Sequence, residues 1–140
     1  MAILHLNEVT VGTAYCTQLN TSAGTGASFL FYTGALPADA SVTATGTLLA
    51  TLTLGAVALG TVTTGISGGA KGFITCNLPS SANGVATGTP GYMRIQTSGA
   101  VGVVDLDVTA SGGGGSVIMT PNTITSGAPV SLTSCVITAP

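Results

Sequence analysis

Charge is what this chain has least of. In 140 residues only Lys71, Arg94, Glu8, Asp39, Asp105 and Asp107 are formally charged, 4% of the sequence against roughly 25% in an ordinary soluble domain. Two basic residues cannot neutralise a run of phosphates, so binding to nucleic acid by counterion release is excluded. Histidine is scarce as well. His5 stands alone near the N-terminus, and a nucleophilic triad has no placed base to draw on. Tryptophan is missing and aromatics make up 4%, so the flat platforms on which sugars stack are few. Cys16, Cys76 and Cys135 lie 60 and 59 residues apart with no C-x-x-C pair and no histidine nearby, which leaves zinc without a ligand set. Their odd number argues against a full disulfide framework, and they read as small apolar residues on strands. From these absences the chain is expected to be no enzyme, with no cofactor and no metal.

Long apolar runs are absent too. The most apolar window, 48–60, is about half a membrane span and is broken by Gly55 and Gly60, so no transmembrane helix is predicted. Residues 1–16 interleave His5, Asn7, Glu8, Thr10 and Gly12 with apolar positions, which is not the unbroken core of a secretory leader.

What remains is apolar, small and β-branched. Hydrophobic residues are 45% of the chain and the mean hydropathy is +0.65, values that rule out disorder, which needs low hydrophobicity and high charge. A single domain of this length buries roughly 70% of its unfolded surface and needs no staples. Thr, Val and Ile are abundant while the helix formers Lys, Glu and Arg are nearly absent, so strands are predicted almost everywhere. In 103–109 Val104, Leu106 and Val108 alternate with Val103, Asp105, Asp107 and Thr109, a strand with one wet face. In 48–54 one face is wholly apolar and the other mixed, which predicts a central strand. Further strands are expected at 2–6, 9–17, 28–33, 56–64, 72–78, 92–97, 116–120 and 130–138. Turn chemistry at 36–39, 67–69, 79–90, 98–99 and 112–115 separates them. The fold class expected is all-β: an antiparallel β-sandwich or jelly-roll-like single domain over 21–140, preceded by an arm or first strands at 1–20. Thr-x-Thr pairs recur, but at uneven offsets, and a solenoid needs one fixed period.

Each candidate for chemistry has a plainer reading. Asp105 and Asp107 share a strand face, where they could begin a calcium site or an acid/base pair; a solvated face is the simpler account. Asp39 follows Pro37 in a turn, where an aspartate caps its own backbone. Residues 65–72 superficially resemble a phosphate loop, yet Ala70 and Gly72 flank Lys71, and the hydroxyl that would hold magnesium is missing. The glycines at 112–115 read as a mobile loop. Arg94 alternates with Met93 and Ile95, so it faces solvent, a carboxylate such as Asp105 or Asp107, or a partner subunit, with the intramolecular pair preferred.

Phe31-Tyr32-Thr33-Gly34-Ala35-Leu36-Pro37-Ala38-Asp39, followed by Thr45-Gly46-Thr47-Leu48-Leu49-Ala50-Thr51-Leu52, resembles a segment of small virion structural proteins of tailed bacteriophages. Tyr92-Met93-Arg94-Ile95 with the acidic strand after it, and the stretch 130–140, share that resemblance, which covers about two-thirds of the chain. It departs in lacking the larger aromatic, often Trp, that those proteins carry near Tyr92. The resemblance implies a capsid decoration (cement) protein at the virion surface. Its implied partners are the major capsid protein and copies of itself in a homo-oligomer. A tail or fibre subunit and a carbohydrate-binding β-sandwich are the alternatives. Such proteins supply no catalytic residues to carry over. With few ion pairs available, contacts must rest on apolar burial and backbone hydrogen bonds. The expected interface residues are Ile3, Leu4, Leu6, Val9 and Val11 in the arm, Val85 in the long uncharged loop 79–90, and Arg94.

Overall fold

The computed structural model describes residues 8–63 and 72–139, and of residues 8–10 the backbone alone. The protein is an all-β single domain with one helix among the described residues. Helix α1 (Glu8–Ala23) precedes ten strands: β1 (Ser28–Tyr32), β2 (Leu48–Thr53), β3 (Gly60–Thr63), β4 (Phe73–Cys76), β5 (Ala82–Asn83), β6 (Tyr92–Gln96), β7 (Gly102–Ala110), β8 (Val117–Met119), β9 (Pro129–Val130) and β10 (Ser134–Thr138). Eight of them form one curled sheet in the order β2-β1-β6-β7-β8-β10-β4-β3, and β5 and β9 pair separately. Every pairing is antiparallel except β7 with β8.

Period-two alternation decides which residues meet inside. Phe29 lies opposite Leu52 and Ile95, and Phe31 opposite Ala50 and Met93, so these side chains share the inner face of the first half of the sheet. Ile74, Cys76, Val117, Cys135 and Ile137 line the second half, and both sets belong to one buried cluster. The sheet therefore curls around a single core. Each large side chain fully buried there contributes about 2–3 kcal/mol from lost apolar exposure.

Four local expectations are corrected. Residues 9–17 belong to a helix, not a strand. Gly12, Cys16 and Ala23 are buried and Leu19 is half-buried, a stripe at spacings of four, three and four that lies on β3, β4 and β7. The threonines that argued for a strand are accommodated because Thr17 and Thr21 donate their hydroxyls to the carbonyls of Thr13 and Thr17, both at 2.9 Å. Gly72 makes the close approach possible: its φ is +97°, and a Cβ there would stand 3.0 Å from the Thr13 nitrogen.

Second, β2 is an edge strand. Its apolar pattern arises because its free edge is itself covered, the Val85 N–H donating to the Leu49 carbonyl at 2.8 Å. Third, loop 79–90 is not free to order on a neighbour, since β5 pairs with β9 and Gly88 bridges Ile124. Fourth, the glycines at 112–115 form a tight return that sets β8 parallel to the end of β7, with Val108 opposite Val117. Gly112 and Gly114 have φ of +85° and +75°, open to glycine at no steric cost. The expected strand 2–6 and the segment 64–71 lie outside the described residues.

Candidate functional site

The outer face of β1, β6 and β7 carries most of the polar chemistry. Cross-strand register places Leu30 beside Arg94 and Arg94 beside Asp105, with Tyr32, Tyr92 and Asp107 forming the next row. The face is not wet. Residues 33–47 fold back over it as a strap, and Arg94 is only 3% exposed.

Arg94 holds this arrangement. Its Nε donates to Asp105 Oδ1 and its Nη2 to Asp105 Oδ2, each at 2.7 Å, a bidentate pair between side chains 4% and 6% exposed. Nη1 donates to the Val42 carbonyl at 2.6 Å, and Nη2 reaches the Asp39 carbonyl at 3.4 Å. The guanidinium thus ties two strands to the strap. The Asp105 hydrogen bond, together with its charge, raises the Arg94 pKa above its ordinary value against the opposing effect of burial. Tyr32 and Tyr92 stack beside it with ring centroids 5.3 Å apart and planes 14° from parallel. The Tyr92 hydroxyl donates to the Thr45 carbonyl at 2.7 Å and accepts from the Thr45 N–H at 3.0 Å, a second tie to the strap. Burial, followed by the Tyr92 hydroxyl, pushes the Tyr32 pKa up.

The carboxylates divide into separate structural tasks. Asp107 accepts from the Ser116 N–H at 3.1 Å, and Thr109 Oγ1 from the Gly115 N–H at 3.0 Å, which fastens the glycine return. Asp39 accepts from the Ser41 N–H at 2.7 Å, the turn cap expected, and the Ser41 hydrogen bonds hold its carboxyl below the usual carboxylate range. Asp105 and Asp107 share a face but point their oxygens to different partners. Among the described residues no group of three His, Cys, Asp or Glu side chains comes together as a metal site, and no helix is long and apolar enough to cross a membrane.

Two open concavities flank this network. One, of about 330 Å³, lies between the strap and the sheet and is lined by Tyr32, Ser41, Val42, Arg94, Gln96 and Gly102. The other, of about 380 Å³, runs between α1 and the β6–β7 turn, among Tyr15, Leu19, Thr97 and Val101. In the first, the one charged lining residue, Arg94, directs each of its three nitrogens to Asp105 or to a strap carbonyl.

Of the expected interface residues, Ile3, Leu4 and Leu6 lie outside the described residues, and so does the side chain of Val9. Val11 is 43% and Val85 63% exposed. They are not neighbours in the sheet order: Val85 sits beside β2 at one end, whereas α1 packs chiefly on β3 and β4 at the other. Arg94, the last of them, is 3% exposed and paired with Asp105. Among the exposed apolar residues the sequence did not single out are Tyr15 and Val101, 45% and 63% exposed. A helical reading of 8–23 would have found Tyr15, which lies off the buried stripe.

No protein-family model matches this chain, and no curated protein or solved structure matches it.

Proposed function

We propose that this protein is a non-enzymatic structural subunit of a bacteriophage virion, a capsid decoration protein that docks on the head lattice and on copies of itself. The observation that carries the reading is where the charge goes. Among the described side chains Asp39 alone is an exposed charge, while Arg94, Asp105 and Asp107 are turned to internal partners. A surface so empty of charge has little to repel a second apolar surface. Val11, Tyr15, Val85 and Val101 are available to be covered, and the sequence resemblance to small virion proteins gives the class of assembly. A sugar-binding reading is weaker: Tyr92 is buried and stacked on Tyr32, which takes the tyrosine pair out of use as an open platform.

Reconstruction of purified particles by electron cryomicroscopy tests this directly. Density for a curled β-domain repeated on the outer face of the head is the expected result. Finding the chain in the tail alone, or in no particle, overturns it.

A further inference from the structure

Two of the three cysteines meet in the core. The β4–β10 register sets Thr75 opposite Val136 and Ile74 opposite Ile137, so continuing it by one residue sets Cys76 opposite Cys135. The Cys135 thiol donates to Cys76 Sγ with the sulfurs 2.9 Å apart. Both are free thiols, 6% and 2% exposed. Directly opposed residues of an antiparallel pair have Cα atoms roughly 4.5 or 5.5 Å apart, and both separations lie within the span of a disulfide. Closing the bond therefore asks the sulfurs to approach by about 0.9 Å without a change of register. Cys16, on α1, is a third buried free thiol.

We propose that Cys76 and Cys135 form a dithiol modification site that is closed to a cross-strand disulfide by a low-molecular-weight disulfide of the glutathione class. One protein thiolate attacks a sulfur of the small disulfide and expels the first small thiolate. The second protein thiol, on losing its proton, attacks the mixed disulfide and expels the other. The two cysteines together give up two electrons and two protons, and the small disulfide becomes two thiols. The bond ties β4 to β10 and closes a loop that contains β5 through β9. In the chain-entropy picture a loop of that length gives a large restriction of the unfolded state. The neighbouring thiol and burial raise the Cys135 pKa, which keeps the folded pair slow to react; exchange is fast while the terminal strands are open, as during folding.

The test is to refold the reduced full-length chain with oxidised glutathione, alkylate the remaining thiols and digest with trypsin. Lys71 and Arg94 are the only lysine and the only arginine, so cleavage gives 1–71, 72–94 and 95–140, each with one cysteine. The expected result is 72–94 joined to 95–140, fragment 1–71 alkylated at Cys16, and a melting temperature raised by about 5–15 °C over the reduced protein. Cys16→Ala keeps both effects and Cys76→Ala abolishes both. Alkylation of all three cysteines, glutathione retained on Cys76 or Cys135, a link that includes 1–71, or a melting temperature that does not rise each overturns the proposal. Should Cys76→Ala fail to fold, the fragment map of the wild type and of Cys16→Ala decides.

Discussion

At the scale of single residues, the decisive one is Arg94, because a buried charge survives only where its partners are all in place. Removing Arg94 leaves Asp105 buried without its counter-charge, and breaking such a pair costs about 3–5 kcal/mol. Arg94→Ala is therefore expected to lower the unfolding free energy by that amount, while the paired change Arg94→Met with Asp105→Leu recovers much of it. Equal losses in the single and double variants, read by urea unfolding, would mean that the strap contacts outweigh the ion pair. Arg94→Lys does not rescue, since an ammonium cannot reach both carboxylate oxygens and the Val42 carbonyl together. Asp39 adds a pH dependence of its own. Its folded pKa lies below the ordinary value, so whatever stability it adds is present above the unfolded pKa and is lost as pH falls through the folded one. The carboxyl is exposed and the effect is small. Nuclear magnetic resonance titration should show Asp39 ionising below an ordinary aspartate, with the shift reduced in Ser41→Ala.

The elements show where sequence patterns carried and where they failed. Strands β6 and β7 were legible because alternation sorts Met93 and Ile95 from Arg94, and Val104, Leu106 and Val108 from Asp105 and Asp107. A pairing of Arg94 with Asp105 or Asp107 was legible for a related reason, the three residues standing on polar faces of neighbouring strand patterns; which of the two it is comes from the register. Helix α1 was not. Its buried stripe is built from Gly12, Cys16 and Ala23, residues too small to register as an apolar period, while its threonines and valines point toward a strand on propensity. Burial against β3 and β4 overrides that preference. The wet face assigned to β7 failed because the covering strap comes from residues about sixty positions earlier, and a strand's own alternation carries no trace of it. The close approach of α1 to the sheet yields a prediction. Gly72→Ala places a Cβ at φ +97° and 3.0 Å from the Thr13 nitrogen, and is expected to cost about 1–3 kcal/mol, whereas Gly55→Ala, with open space around it, is expected to cost less. Calorimetry of the two variants makes the comparison, and equal melting temperatures would count against this packing of α1.

For the whole molecule, a surface with little charge and several exposed apolar side chains has one consequence for assembly: contacts made by it cannot depend on ion pairs. At 1 M salt the Debye length falls to about 3 Å and exposed ion pairs weaken, while apolar burial holds or strengthens. The measurement that bears most directly on the proposed role is sedimentation velocity of the full-length protein at 0.1 and 1 M sodium chloride, and then in urea low enough to keep the β-type spectrum. The account predicts an oligomer whose dissociation constant at 1 M salt is within about twofold of that at 0.1 M or tighter, and which disperses in urea before the subunit unfolds. A monomer at every concentration, or an oligomer that moderate salt takes apart, would contradict it.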